Sequence, residues 1–557
     1  MASIDGSQYG FFAPQNGAIN VVFSVDGSNL PAAAPSVFNL EYITSPTGVS
    51  YTLPTSYQGV AILPGGTGQS LNLLLGNVGV TDNGTSDTIT AGPGNNSIVG
   101  GQLDTITGGT GNDVIDASAG SESVTGGSAG NETIISGTGD TISAGGANVT
   151  VGGAAGDTLI GGTGIDFLDG SKGSKESITA GSSGSETIYG GAGDTINGGG
   201  ANVTIGGAAG DTITGGTGAD SIDGTKGSQS ITGGSGATTI SGGVGDTITG
   251  GTGSLFVHGE AGSKESITGG ASGSETIWGG ASDTINGGGA NVTIAGGAGD
   301  TITGGTGADS IDGTLGSQSI TGGSGAATIA GGAKDTITGG TGSLFVHGEA
   351  GSQLITGGSA GSETIWGGAG DTINGGGASV TIGGAAGDTI TGGTGVDSID
   401  GTLGSQSITG GSGAATIAGG AKDTITGGTG SLFVHGEAGN QLITAGSAGS
   451  ETIWGGTGDT FVGGSASALF GYVTTPGAGA EFFSDNGTTA SNSIDTVAGF
   501  SLAAGDSIKL NGASVNQVLA SATPTTFNGN QSTVITFADG SKLVLAGITS
   551  VNSSFFS

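Results

Sequence analysis

Residues 296–313 read GGAGDTITGGTGADSIDG, and their arrangement decides the fold. Twice within this stretch a glycine-rich turn ends in an aspartate, and Thr-Ile-Thr or Ser-Ile-Asp follows. Each unit therefore carries only about three residues of strand-forming sequence before Gly-Gly reverses the chain. One such strand buries nothing by itself. Stacked copies do, with the isoleucines facing inward as a ladder and the threonines facing out.

The unit recurs along most of the chain. Its central apolar residues run from Ile89, Ile98, Ile106, Ile115 and Val124 to Ile453 and Phe461, at steps of 8 to 11 residues. A longer repeat is laid over the short one. SETIWGG recurs with Trp278, Trp366 and Trp454, two steps of 88 residues, and SLFVHGEAG recurs with His258, His347 and His435. The long repeat holds ten short units and earlier spacings hold six, so two strands per turn keep every face in register, whereas three do not. The expected fold is all-β, a long parallel β-roll or β-solenoid with two short strands per turn, flanked by small N- and C-terminal β-domains. The periodicity excludes the disorder that 132 glycines and 9 prolines in 557 residues would otherwise suggest.

Charge follows the same period. Eight basic residues, all lysine, face 44 acids for a net charge of −36, which disfavours nucleic acid and anionic lipid and favours cations. Alternate units place an acid two residues before the inward apolar residue: Asp87, Asp104, Asp140, Asp157, Asp194, Asp211, Asp283, Asp300, Asp371 and Asp388, with Glu122, Glu176 and Glu265 between. Gln229, Gln318, Gln353, Gln406 and Gln441 take the same place in other units. Carboxylates stacked about 4.8 Å apart repel by roughly 1 kcal/mol per pair even in water. Carboxylate and turn-carbonyl oxygens are hard ligands that suit Ca²⁺. Aspartates capping their own turns is the competing reading; for the whole column calcium is preferred, with ions concentrated at Asp194/Asp211, Asp283/Asp300 and Asp371/Asp388.

GGTGNDVID (108–116), GGTGIDFLD (161–169), GGTGADSID (215–223 and 304–312) and GGTGVDSID (392–400) resemble the nonapeptide G-G-x-G-x-D-x-U-x of the RTX, or haemolysin-type, calcium-binding β-roll. The resemblance implies calcium between successive turns on one edge, with Asp113, Asp166, Asp220, Asp309 and Asp397 as ligands. These five lie on the edge opposite the acidic column, and neighbours such as Glu132, Val203, Thr238, Val292, Ala327 and Val380 leave each without a full partner half-site.

Tyr189, Trp278, Trp366 and Trp454 directly follow an inward isoleucine and are expected to face solvent as a recurring contact surface, for another copy of the chain or for sugar rings. At least one apolar side chain of each Leu-Phe-Val is expected beside them. The three histidines read as surface residues rather than ligands.

Residues 1–82 are poor in glycine and hold six of the prolines; their apolar alternation reads as antiparallel strands of a small cap, anchor or assembly domain. The coil is expected over 83–461 and a β-rich domain over 462–557. Within the latter, Asp495, Val497, Phe500, Gly505, Asp506, Ile508 and Leu510, with the final Phe555 and Phe556, resemble the C-terminal regions of RTX proteins exported by type I ABC systems. The first residues show no basic, apolar leader, and no run of 18 apolar residues spans a membrane. No zinc-protease, nucleophile-elbow or phosphate-loop motif occurs in a fitting context, so no enzyme is expected. The expected function is a secreted calcium-binding structural protein at the bacterial cell surface, self-assembling into a surface layer or filament. A calcium-dependent adhesin or polysaccharide-binding matrix protein is the alternative, and a secreted enzyme with its site in residues 1–82 a third reading.

Overall fold

The computed structural model describes residues 19–24, 38–43, 50–53, 59–63, 66–74, 77–260, 264–348, 350–436, 439–472, 482–484, 493–510 and 512–557. Met1–Glu275 and Thr276–Ser557 form two compact units, and each is built the same way. The fold is all-β, a parallel β-solenoid of about 22 turns with two short strands per turn.

In the first unit one wall stacks Thr88–Thr90, Thr105–Thr107, Ser123–Thr125 and Thr141–Ser143, with Ile89, Ile106, Val124 and Ile142 in direct register. These strands follow the acidic column, and we call this the column wall. The other wall stacks Ser97–Val99, Val114–Ala117 and Asn131–Ser136 through Ile98, Ile115 and Ile134; its strands follow the GGTGxD turns, and we call it the motif wall. Both ladders are fully buried, because β-branched side chains pack well on a pleated face that they fill from one side only. Glycine is required where turns stack: a Cβ on Gly109 would collide with the carbonyl oxygen of Gly92 one rung earlier.

The strands described within residues 1–82 correct the expected pairing. Ile19–Ser24, Phe38–Ile43, Gly59–Leu63 and Gly79–Asp82 pair parallel in succession, and Ser97–Val99 follows them on the motif wall. Ser50–Leu53 and Ser70–Leu73 lead likewise into Thr88–Thr90. Alternation reports one buried face, and a parallel strand in a coil has one as much as an antiparallel strand does.

In the second unit the column wall runs from Thr284–Asn286 to Thr460–Val462 and on through Phe482–Ser484 to Ser507–Lys509. The motif wall reaches Ser467–Tyr472 and Ile494–Ala498. Lys542–Ala546 then pairs parallel with Ile494–Ala498 and carries an antiparallel hairpin, Thr523–Phe527 with Asn530–Thr536. Helix Val515–Ser521, capped by Ser514, precedes that hairpin. Of the C-terminal residues that carry the export resemblance, Val497, Phe500, Ile508 and Phe555 are buried in the core, with Phe500 and Phe555 stacked at 5.4 Å.

Candidate metal centre

Each column residue ends a glycine-rich turn one position before a strand, with its side chain directed inside. Aspartate there is short enough to serve two backbone amides. Asp300 accepts from the N–H of Asp283 on the preceding rung at 2.8 Å and from that of Gly297 in its own turn at 2.7 Å. Asp104, Asp140, Asp157, Asp194, Asp211, Asp371 and Asp388 each accept the same two bonds. The five motif aspartates do so on the other edge. Asp113, Asp166, Asp220, Asp309 and Asp397 hold the second glycine of their own GGTG turn and the amide of Asn96, Val149, Val203, Val292 and Val380 one rung back.

Part of the repulsion expected along the column is therefore relieved by the chain's own amides, which are strong partners for a buried carboxylate. Burial still pushes the carboxyls of Asp140, Asp211, Asp220, Asp300, Asp309, Asp371, Asp388 and Asp397 upward, while these backbone bonds pull them down.

Glutamate at the same position is held less well: Glu122 Oε2 accepts only a long bond from Gly120 N–H, at 3.4 Å. Both oxygens of Glu176 and one of Glu122 are buried without a hydrogen-bond partner. Burial, then the charge of Asp140 and, more weakly, of Asp104, pushes Glu122 up to about 8. Burial, then Asp194 and Asp157, does the same to Glu176, also to about 8. Each glutamate thus stands between two aspartates on neighbouring rungs, a triple of acids that the folded chain leaves short of positive charge.

At the start of the column Asp82, Asp87 and Asp104, all buried, bring one oxygen each within 4.8 Å of the others. Asp82 Oδ1 accepts from Gly84 N–H at 2.6 Å and Asp87 Oδ1 from Gln69 N–H at 2.7 Å, whereas Oδ2 of both has no partner. Burial and the neighbouring Asp104 push Asp82 up to about 8. Asp82 escaped the sequence reading because it ends a strand rather than a Gly-Gly turn.

A second set was read only in part: Glu132 was named as a neighbour and given no ligand role, and its equivalents were not singled out. Glu132, Glu186, Glu363 and Glu451, from the N/S-E-T-I segments, occupy the aspartate position of the motif wall. One oxygen of each accepts from Gly127, Gly181, Gly358 or Gly446 at 2.5–2.7 Å, and the other is buried without a partner. Burial pushes Glu132, Glu186 and Glu451 up to about 7, with Asp113 adding to Glu132 and Asp166 to Glu186. Asp113 and Asp166 therefore do have an acidic neighbour on the next rung. Asp220, Asp309 and Asp397 have Thr238, Ala327 and Ala415 there.

Donor chemistry and orphaned oxygens together fit calcium. Every candidate ligand is a carboxylate or turn carbonyl, and Ca²⁺ takes six to eight such oxygens without strict geometry. On the column, Asp82/Asp87/Asp104, Asp104/Glu122/Asp140 and Asp157/Glu176/Asp194 are places where a cation would satisfy carboxylate oxygens that have no hydrogen-bond partner. At Asp194/Asp211, Asp283/Asp300 and Asp371/Asp388 the second carboxylate likewise holds the amide of the first.

On the outer face of the motif wall, Tyr189, Trp278 and Trp366 are nearly half exposed, and Trp454 is half-buried. Three of these rings lie over a glycine on the next rung: a Cβ on Gly206 would sit 2.7 Å from Tyr189 Cδ1, one on Gly383 2.5 Å from Trp366 Cε3, and one on Gly471 3.0 Å from Trp454 Cζ3. His347 and His435 pair directly with Trp366 and Trp454, and Phe345 and Phe433 face out while Leu344, Val346, Leu432 and Val434 are buried.

The family model of the RTX calcium-binding nonapeptide repeat matches residues 81–102, 103–131, 151–174, 205–240, 279–300, 299–329 and 382–417. No curated protein sequence matches the chain. The first two matches contain Asp82, Asp87, Asp104 and Glu122, acids with orphaned oxygens or close carboxylate neighbours. With Ca²⁺ binding implied by these repeats, and with two short parallel strands per turn, the chain fits an RTX calcium-binding β-roll protein.

Proposed function

We propose that the protein is a secreted calcium-binding structural protein that assembles with copies of itself into a surface layer or extracellular filament. RTX repeats are typical of secreted proteins, and among the described residues no helix is long and apolar enough to cross a membrane. The observation that carries the assembly reading is the recurrence, within the second unit, of Trp278, Trp366 and Trp454 at a constant step of five rungs, about 24 Å. Phe345 and His347, then Phe433 and His435, precede the last two. An exposed aromatic cluster repeated at a fixed interval suits a partner with the same interval, and a second copy has it. A type I exporter is the partner during secretion, and the cell surface the destination.

Electron microscopy of the purified chain in millimolar calcium tests this. Ordered sheets or filaments are expected; dispersed monomers at high concentration refute the reading. Replacing Trp278, Trp366 and Trp454 by alanine should abolish assembly. If assembly survives and binding to a cell-surface polysaccharide is lost, the protein is an adhesin or matrix protein.

A further inference from the structure

A trough of about 570 Å³ lies on the outer face of the motif wall in the first unit, away from every carboxylate triple described above. Five consecutive rungs form it, running Thr187, Thr204, Ser221, Thr239 and Phe256 in direct register. Two residues back along each strand, Ser185, Asn202, Ala219, Ala237 and Ser254 make a second ridge. Five rungs at about 4.8 Å give a length near 19 Å, and two residues along a strand give a width of about 7 Å.

We propose that this trough binds a single extended chain of a neutral polysaccharide. Its walls carry hydroxyls that donate and accept, spaced along the line of the trough. Asn202 gives its carbonyl oxygen to Ala219 N–H at 2.8 Å, so its NH₂ group is what it offers a ligand. Ala219, Ala237 and the Phe256 ring supply apolar surface for the C–H faces of sugar rings. No lysine lines the trough, and Glu186 and Asp220, both buried, lie in its floor, which sets acidic glycans at a disadvantage. The outward series recurs in register in the second unit as Thr293, Ser310, Thr328 and Phe345, then as Thr364, Thr381, Ser398, Thr416 and Phe433. A polymer with its own repeat engages such copies together, and the gain in avidity needs no new contact. The trough of the first unit shares no residue with the tryptophan clusters.

Affinity electrophoresis of the full chain in calcium, in gels containing a neutral β-glucan, a neutral mannan, glycol chitin or alginate, tests the assignment. Retardation by at least one uncharged polymer and none by alginate is expected. Valine for threonine at 204 and 239, 293 and 328, and 381 and 416 keeps shape and strand propensity. Each lost hydroxyl bond should weaken binding about two- to tenfold, with an unchanged melting temperature. No retardation by any uncharged polymer, binding to alginate alone, or a valine variant that binds like the parent overturns the proposal. So does a variant that loses only self-association in sedimentation, which would make the face a contact between copies. Loss of sheets in the tryptophan variant, with retardation intact, would leave the trough standing and separate the two readings.

Discussion

Asp300→Ala removes the acceptor of two buried amides, those of Asp283 on the rung before and Gly297 in its own turn. Neither has water to turn to, since Asp300 is 1% exposed. Leaving a buried N–H unsatisfied costs about 1–3 kcal/mol, so the two together should destabilise that stretch of coil by about 2–6 kcal/mol. In a solenoid each turn contacts only its neighbours, and the damage should stay near residues 280–300. Hydrogen exchange over those peptides is the assay. Local protection of the two amides should fall about 5- to 150-fold each, the same free energies expressed as rates. Asp300→Asn, which keeps one acceptor oxygen, should lose about half as much. Asp312→Asn, at an exposed carboxylate that caps only its own turn, serves as control.

Running the same pair in calcium and in EGTA separates strut from ligand. If Asp300 only holds amides, the loss of protection is the same in both buffers. If it also binds the ion, the Asn variant loses an additional, calcium-dependent share. Unchanged exchange at 280–300 in the alanine variant, in either buffer, would falsify the account of the column as a set of amide clamps.

The remaining predictions concern pH, the aromatic seats and the core. Glu122 and Glu176 are raised from 4.5 to about 8 in the folded chain, so between those values the native state holds protons that the unfolded chain has released. Stability in EGTA is then fully present below about pH 4.5 and is lost as pH rises toward 8; calcium replaces the protons, so melting in calcium should not fall over this range. A melting temperature that climbs with pH in EGTA contradicts the burial of these acids. Gly383→Ala should push the Trp366 indole off its seat, at about 1 kcal/mol for a displaced rotamer; fluorescence read with Trp278 and Trp454 replaced by phenylalanine should shift to the red, and an unshifted spectrum counts against the seat. Ile355→Ala, at a fully buried rung, should cost about 2–5 kcal/mol, with deprotection confined to neighbouring turns rather than spread through the unit.

The coil was legible because its causes are local. A three-residue strand with one branched inward side chain, and a Gly-Gly turn with no room for a Cβ, leave a two-strand turn as the arrangement that keeps both periods in register. The pairing direction before residue 83 was not legible, since the alternation in Ile19–Ser24 is compatible with a parallel or an antiparallel neighbour. Acid placement was legible and acid chemistry was not, because spacing cannot show that a backbone N–H one rung back points at the carboxylate.

That hidden geometry explains the glutamines, which the charge argument left as gaps. Gln229, Gln318, Gln353, Gln406 and Gln441 each donate their own N–H to the aspartate on the next rung, Asp246, Asp335, Asp371, Asp423 and Asp459. Glu122 and Glu176 donate in the same way to Asp140 and Asp194. The clamp therefore belongs to the shorter aspartate, and the residue it clamps is free to be Glu or Gln. Where it is Gln the rung carries one carboxylate fewer, and the side-chain oxygens of Gln229, Gln318, Gln353 and Gln406 are buried without a partner; where it is Glu, a third carboxylate enters the core, with Oε1 of Glu122 and both oxygens of Glu176 in the same condition. Along one column the same backbone device thus serves both kinds of turn, and the side chain it clamps sets how much negative charge the rung buries.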